Sequence, residues 1–146
     1  MPGIIVGVDG SRHSRSALQW AVSEAVARHA PLTVLTVHQA VAGSWGGTIP
    51  YPDDTELIRK LREEVQQETD DVLDELDVAS RPPLVTVRAV TGLPAEQLLA
   101  AAAGADMLVV GARGGGGFKK LLLGSVSTHV THHAPCPVVV IPADKT

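Results

Sequence analysis

Residues 107–127, MLVVGARGGGGFKKLLLGSVS, decide the fold. An apolar strand from Met107 to Val110 breaks into glycine, and a last helix is expected from about Ser125 to His133 with Val126 and Val130 turned inward. A wholly apolar strand reads as one buried on both faces, which is the signature of a parallel sheet. Working outward, Pro94 suits the first position of a helix carrying Leu98 and Leu99, and Gly104 is placed as its C-terminal cap. On the other side, Val138 to Ile141 reads as the final strand.

The same alternation continues toward the N-terminus. From Leu84 to Val90, the apolar Val85, Val87 and Ala89 alternate with Thr86 and Arg88, as in an edge strand. Before it, Leu57, Leu61, Val65, Val72 and Leu76 form the stripe of a long helix, while Arg59, Lys60, Arg62, Glu63 and Glu64 cover its solvated faces. A Gly/Pro-rich loop from Gln39 to Asp53 precedes that helix, and Leu32 to Val37 is a β-branched strand. Ile4 to Val8 opens the chain as a strand, and Ala17, Leu18, Ala21, Val22, Ala25 and Val26 recur at helical spacing until Pro31. Strands joined by helical crossovers predict one α/β domain over residues 1–146: a doubly wound five-stranded parallel sheet in a three-layer sandwich of the flavodoxin/Rossmann type. The expected strand order is 3-2-1-4-5. It makes the loops Asp9 to Ser11 and Gly111 to Gly117 face each other, and ligands of open sheets bind at such a switch point.

Composition narrows the function classes. The 146 residues are 45% hydrophobic, enough for one core, and only 3% aromatic, so small aliphatics must fill it. A net charge of −4 gives no basic excess for nucleic acid or an anionic membrane. The single Cys136 allows no disulfide within the chain. The start, MPGIIVGVDG, lacks the basic and apolar regions of a signal peptide, and no apolar run reaches the ~18 residues of a membrane span. A cytoplasmic location is expected.

The chemistry concentrates in the glycine segment. Gly111, Gly114 and Gly124 follow the spacing Gly-x2-Gly-x9-Gly-Ser between a buried strand and a helix. Glycine there lets several backbone N–H groups turn toward a ligand, and the helix start adds the N–H groups of Ser125, Val126 and Ser127 with the dipole behind them. The Ser125 hydroxyl can donate to a phosphate oxygen. Arg113, within the motif, is the cation placed to reach phosphate, whereas Lys119 and Lys120 read equally well as solvated loop. A plain flexible loop is the bland reading of any glycine cluster, but this spacing and context weigh against it. The P-loop and the dinucleotide fingerprint do not fit these positions.

Other chemistries fare worse. A phosphoacceptor receiver would need an aspartate where Val90 and Thr91 stand and a lysine where Ile141 and Pro142 stand. His129, His132 and His133 could present metal ligands, but no acidic residue or cysteine accompanies them and a last helical turn favours histidine through the dipole. Cys136, between two prolines, reads as a small core residue, and no serine sits in a nucleophile elbow.

Taken together, the opening strand with Val8, Asp9, Gly10 and Ser11, the LTVLTV strand, Gly92-Leu93-Pro94, the glycine motif and the APCPVVVIP ending resemble the ATP-binding subgroup of the universal stress protein family, along essentially the whole chain. That resemblance implies an adenine nucleotide as ligand, ATP, with Mg as a possible companion. It implies that Asp9 binds adenine or ribose, that Val37 holds adenine through its backbone, and that Gly111, Arg113, Gly114, Gly124, Ser125 and Val126 line the phosphates. Val8, Gly10, Ser11, Gly92 and Ser127 complete the nucleotide-binding set. Ala112 stands where the family usually has serine, and Gly115, Gly116 and Gly117 lengthen the glycine run. No residue offers itself as a general base near a γ-phosphate, so a sensor or adaptor is expected rather than a fast enzyme. The alternatives are a slow Mg-dependent ATPase and a family protein regulated without nucleotide. Finally, Val138 to Ile141 is an uncharged aliphatic edge, which invites a homodimer through Pro137 to Pro142, and the resemblance implies the same interface.

Overall fold

The computed structural model describes residues 3–39, 54–112 and 124–142. Along these the elements are β1 (Ile4–Val8), α1 (Arg12–Arg28), β2 (Leu32–Gln39), α2 (Asp54–Asp74), a 3-10 turn (Val78–Ser80), β3 (Val85–Gly92), α3 (Pro94–Ala102), β4 (Met107–Gly111), α4 (Ser125–His133) and β5 (Val138–Ile141). The sheet has five parallel strands in the order β3-β2-β1-β4-β5, as the sequence predicts. Strands β2, β3 and β4 run one or two residues beyond their expected ends, so Gln39, Gly92 and Gly111 belong to the sheet.

Period-two alternation sorts the strand residues to two faces. Ile4, Val6, Val8, Val34 and Val109 join Ala17, Leu18, Ala21 and Val22 of α1 and Val65 and Val72 of α2 in one core. Ile5, Leu35, Leu108 and Val110 join Leu98 and Ala102 of α3 and Val130 of α4 in the other. The strongest burial falls on aliphatics such as Leu18, Leu32 and Leu108, each contributing about 1.5–3 kcal/mol by leaving water.

Local chemistry sets the helix ends. The Ser11 hydroxyl caps α1 by accepting from the Ser14 N–H at 3.2 Å. At the other end His29 adopts the left-handed region (φ 54). There the Ala30 N–H reaches Ala25 O and the His29 N–H reaches Val26 O, which closes the helix before Pro31. Of the α2 stripe only Leu57 departs, being 47% exposed, while Leu61, Val65, Val72 and Leu76 pack on the core, Leu76 from just past the last helical residue. Thr69 joins them inside, fully buried, its hydroxyl donating to Val65 O at 2.8 Å.

The two sheet edges differ. Strand β3 packs against α2, whose Arg62 donates from Nε to the Val87 carbonyl at 3.3 Å. On β5, Pro137 O and Ile141 O accept from β4-side N–H groups of Leu108 and Ala112. Val138 and Val140 therefore turn their backbone groups outward. All four β5 side chains are half-buried.

Candidate nucleotide-binding site

A parallel sheet brings every strand's carboxyl end to one edge. Val8 pairs with Thr36 of β2 while Val6 pairs with Val109 of β4, so two residues further on Val8 comes level with Gly111. The chain leaves β1 into α1 on one face and enters α4 from β4 on the other, which makes the gap between these strand ends the switch point of the sheet.

On the β1 side the backbone is held by a closed set of hydrogen bonds. Asp9 Oδ1 accepts from the Ser11 N–H at 2.9 Å. The buried Ser14 hydroxyl accepts from the Asp9 N–H at 3.2 Å and donates to Ser11 O at 3.1 Å. Gly10 turns the chain between them at φ 83, open space surrounding the position of an absent Cβ. Asp9 is thus an exposed carboxylate at the mouth of the crevice, oriented by an Asx turn, while the Ser11 hydroxyl is committed to capping.

On the β4 side one carbonyl draws two segments together. Ala112 O accepts from the Gly124 N–H at 2.6 Å and from the Ser127 hydroxyl at 2.9 Å. Ser127 is buried at 2%, with Gly124 O as a second acceptor at 3.0 Å. Its hydroxyl therefore fastens the helix to the strand end. The first bond within α4 runs from the Thr128 N–H to Gly124 O, and Gly124 offers no side chain to cap the helix. The N–H groups of Ser125, Val126 and Ser127 are the orphan donors of that helix start, with the positive end of its dipole behind them.

The remaining candidates are placed as follows. Val8 is a core side chain, so only its backbone faces the edge. Val37 is half-buried against the α3/α4 core, next in β2 to the partner of Val8. Gly92 pairs with Gln39 on the far side of β2, two strands from β1, at φ 153 with Gln97 packed over it. Arg113, Gly114, Gly115, Gly116, Gly117, Lys119 and Lys120 lie outside the described residues, as does the 40–53 loop.

Sequence reasoning overlooked Ser14 and the Ala112 carbonyl. A second serine three residues after the cap, on the apolar side of α1, was the available signal for Ser14. Nothing local marks Ala112. It also overlooked Glu68 of α2, whose carboxyl is pushed above its ordinary range by burial and by the charges of Asp9 and Asp71, against the pull of Arg15. That links α2 electrostatically to the mouth of the crevice.

The geometry defines a doubly wound α/β domain with an anion-ready helix start at the switch point of its sheet. The chain belongs to the universal stress protein family, whose family model matches residues 2–142. It is 37% identical over 147 residues to a universal stress protein of Mycolicibacterium smegmatis, covering 97% of this chain and 48% of that relative. The chain thus spans about half the length of the curated relatives it matches first. Among solved structures it is similar to the universal stress protein UspA of Lactobacillus plantarum, with a TM-score of 0.72 and 27% identity over 96% of this chain and 97% of that one. It is also similar to a universal stress protein in complex with cAMP, with a TM-score of 0.66 and 26% identity over 97% of this chain and 96% of that one.

Proposed function

We propose that the chain binds ATP at the carboxyl edge of β1 and β4 and acts as a cytoplasmic, dimeric sensor or adaptor in a stress response. The observation that carries this reading is the clamp at Ala112, which sets the bare N-terminus of α4 at the end of β4, a strand end that the register brings level with the end of β1, just before Asp9. Backbone N–H groups converging at a helix start suit phosphate oxygens, and an exposed carboxylate across the gap suits ribose hydroxyls. The triphosphate lies along Gly111 to Gly114 and Gly124 to Ser127, with Val37 toward the base and Mg as its counterion. The similar protein that binds cAMP supports an adenine ligand in this fold.

Titration of purified protein with ATP tests the assignment. Gly114→Val is expected to abolish binding with an unchanged circular dichroism spectrum, and Asp9→Ala to weaken adenosine and ATP alike. Unaltered ATP titration in both variants overturns it. In the sensor reading, bound ATP turns over at no more than a trace rate at any magnesium concentration. Sustained magnesium-dependent release of phosphate identifies a slow ATPase instead.

A further inference from the structure

The C-terminal half of α4 carries His129, His132 and His133, all exposed and outside the nucleotide site. His129 and His133 are an i, i+4 pair whose ring centroids lie 4.7 Å apart with planes 40° from each other. This is the spacing at which two helical histidines grip one ion in metalloproteases. An ion about 2.0–2.1 Å from a nitrogen of each ring, with a coordination angle of roughly 90–110°, holds the two centroids roughly 4.5–5.2 Å apart. The observed separation falls inside that window. His132 is offset around the helix, its centroid 6.4 Å from that of His133.

We propose that His129 and His133 form a bidentate surface site for a borderline divalent transition metal of the zinc, nickel or copper class. Imidazole nitrogen is the donor such ions prefer, whereas magnesium and calcium demand oxygen. Among the described residues no group of three or more His, Cys, Asp or Glu side chains converges. The ion therefore keeps water in its remaining positions and exchanges readily. The carbonyl end of α4 adds a favourable negative potential for a cation. His129 and His133 lie about 8 and 13 Å along the helix axis from the Gly124 end, so the site is separate from any ion that accompanies a nucleotide.

Calorimetric titration of the full chain with zinc chloride near neutral pH tests the proposal. One saturable zinc per chain is expected, released on acidification because only unprotonated imidazole coordinates. Chelation makes the second ligand intramolecular, so His129→Ala and His133→Ala should each weaken zinc about a hundredfold. His133→Gln, which keeps a long polar side chain on the surface, should do the same. His132→Ala should leave the affinity unchanged. No saturable zinc binding by the wild type, or equal loss in His132→Ala, overturns the proposal, as does tight binding that survives removal of His129 and His133.

Discussion

The Ser127 hydroxyl stands 2.9 Å from the Ala112 carbonyl across fifteen residues of chain, and it is the side-chain bond that joins α4 to the end of β4. Removing a buried hydroxyl costs about 1 kcal/mol when its partner keeps another donor, as Ala112 O keeps the Gly124 N–H. Ser127→Ala is therefore expected to lower stability by about that amount in urea unfolding. Its effect on ATP affinity should exceed its effect on stability, because the helix start is then held to β4 by the Gly124 N–H alone. Wild-type affinity in a measurably destabilised variant would show that the clamp does not serve the ligand.

Gly92 adopts φ 153, and a Cβ there would stand 2.8 Å from Gln97 Nε2 and 3.0 Å from its Cγ. Both the backbone and the neighbour must yield to any side chain. Gly92→Ala should cost about 1–3 kcal/mol, read as a lowered unfolding midpoint. The double variant with Gln97→Ala should recover only the steric part.

Glu68 provides a pH signature. Its carboxyl titrates above the ordinary range because burial raises it, with Asp9 and Asp71 adding to that and Arg15 opposing. One carboxylate oxygen, Oε1, is buried with no hydrogen-bond partner among the described residues. A carboxyl raised in the fold favours folding below its unfolded pKa, and that contribution is lost as pH rises through the folded value. Glu68→Gln should thus stabilise the protein at neutral pH, and the advantage should vanish by about pH 3. A variant less stable than wild type at neutral pH would mean that the attraction of Arg15 dominates.

The proposed homodimer would rest on β5. The outward backbone groups of Val138 and Val140 have no partner among the described residues, and an antiparallel match with a second copy would satisfy them around a two-fold axis. Val139→Lys and Val140→Lys place like charges across that axis, one on each face of the sheet, and light scattering should find both shifted toward monomer. A monomeric wild type, or a dimer that both variants leave intact, contradicts this interface.

How far the sequence reached depends on how local the causes are. The apolar run Met107 to Val110 and the alternation about Val87 announce a buried and an edge strand by composition alone, and both stand where expected. The sequence places the end of α1 before Pro31 but not its cap, because a histidine, not a glycine, takes the left-handed position, with Ala30 buried just beyond it. The role of Ser127 was illegible for a different reason. Its acceptor lies in another element, and only the folded sheet shows that the hydroxyl turns inward rather than toward a ligand. At the site, the two glycine-flanked ends were readable, and the hydrogen bonds that orient Asp9 were not.

The Arg62 bond to the Val87 carbonyl gives the sheet a valence. Arg62 engages one outward carbonyl of β3, whereas the outward backbone groups of Val138 and Val140 in β5 have no hydrogen-bond partner among the described residues, so the two margins are unequal. If copies pair through β5 as proposed, self-association by strand addition is expected to stop at the second molecule, with the two β3 strands outermost. Replacing Arg62 is then expected to free a carbonyl on that outer margin.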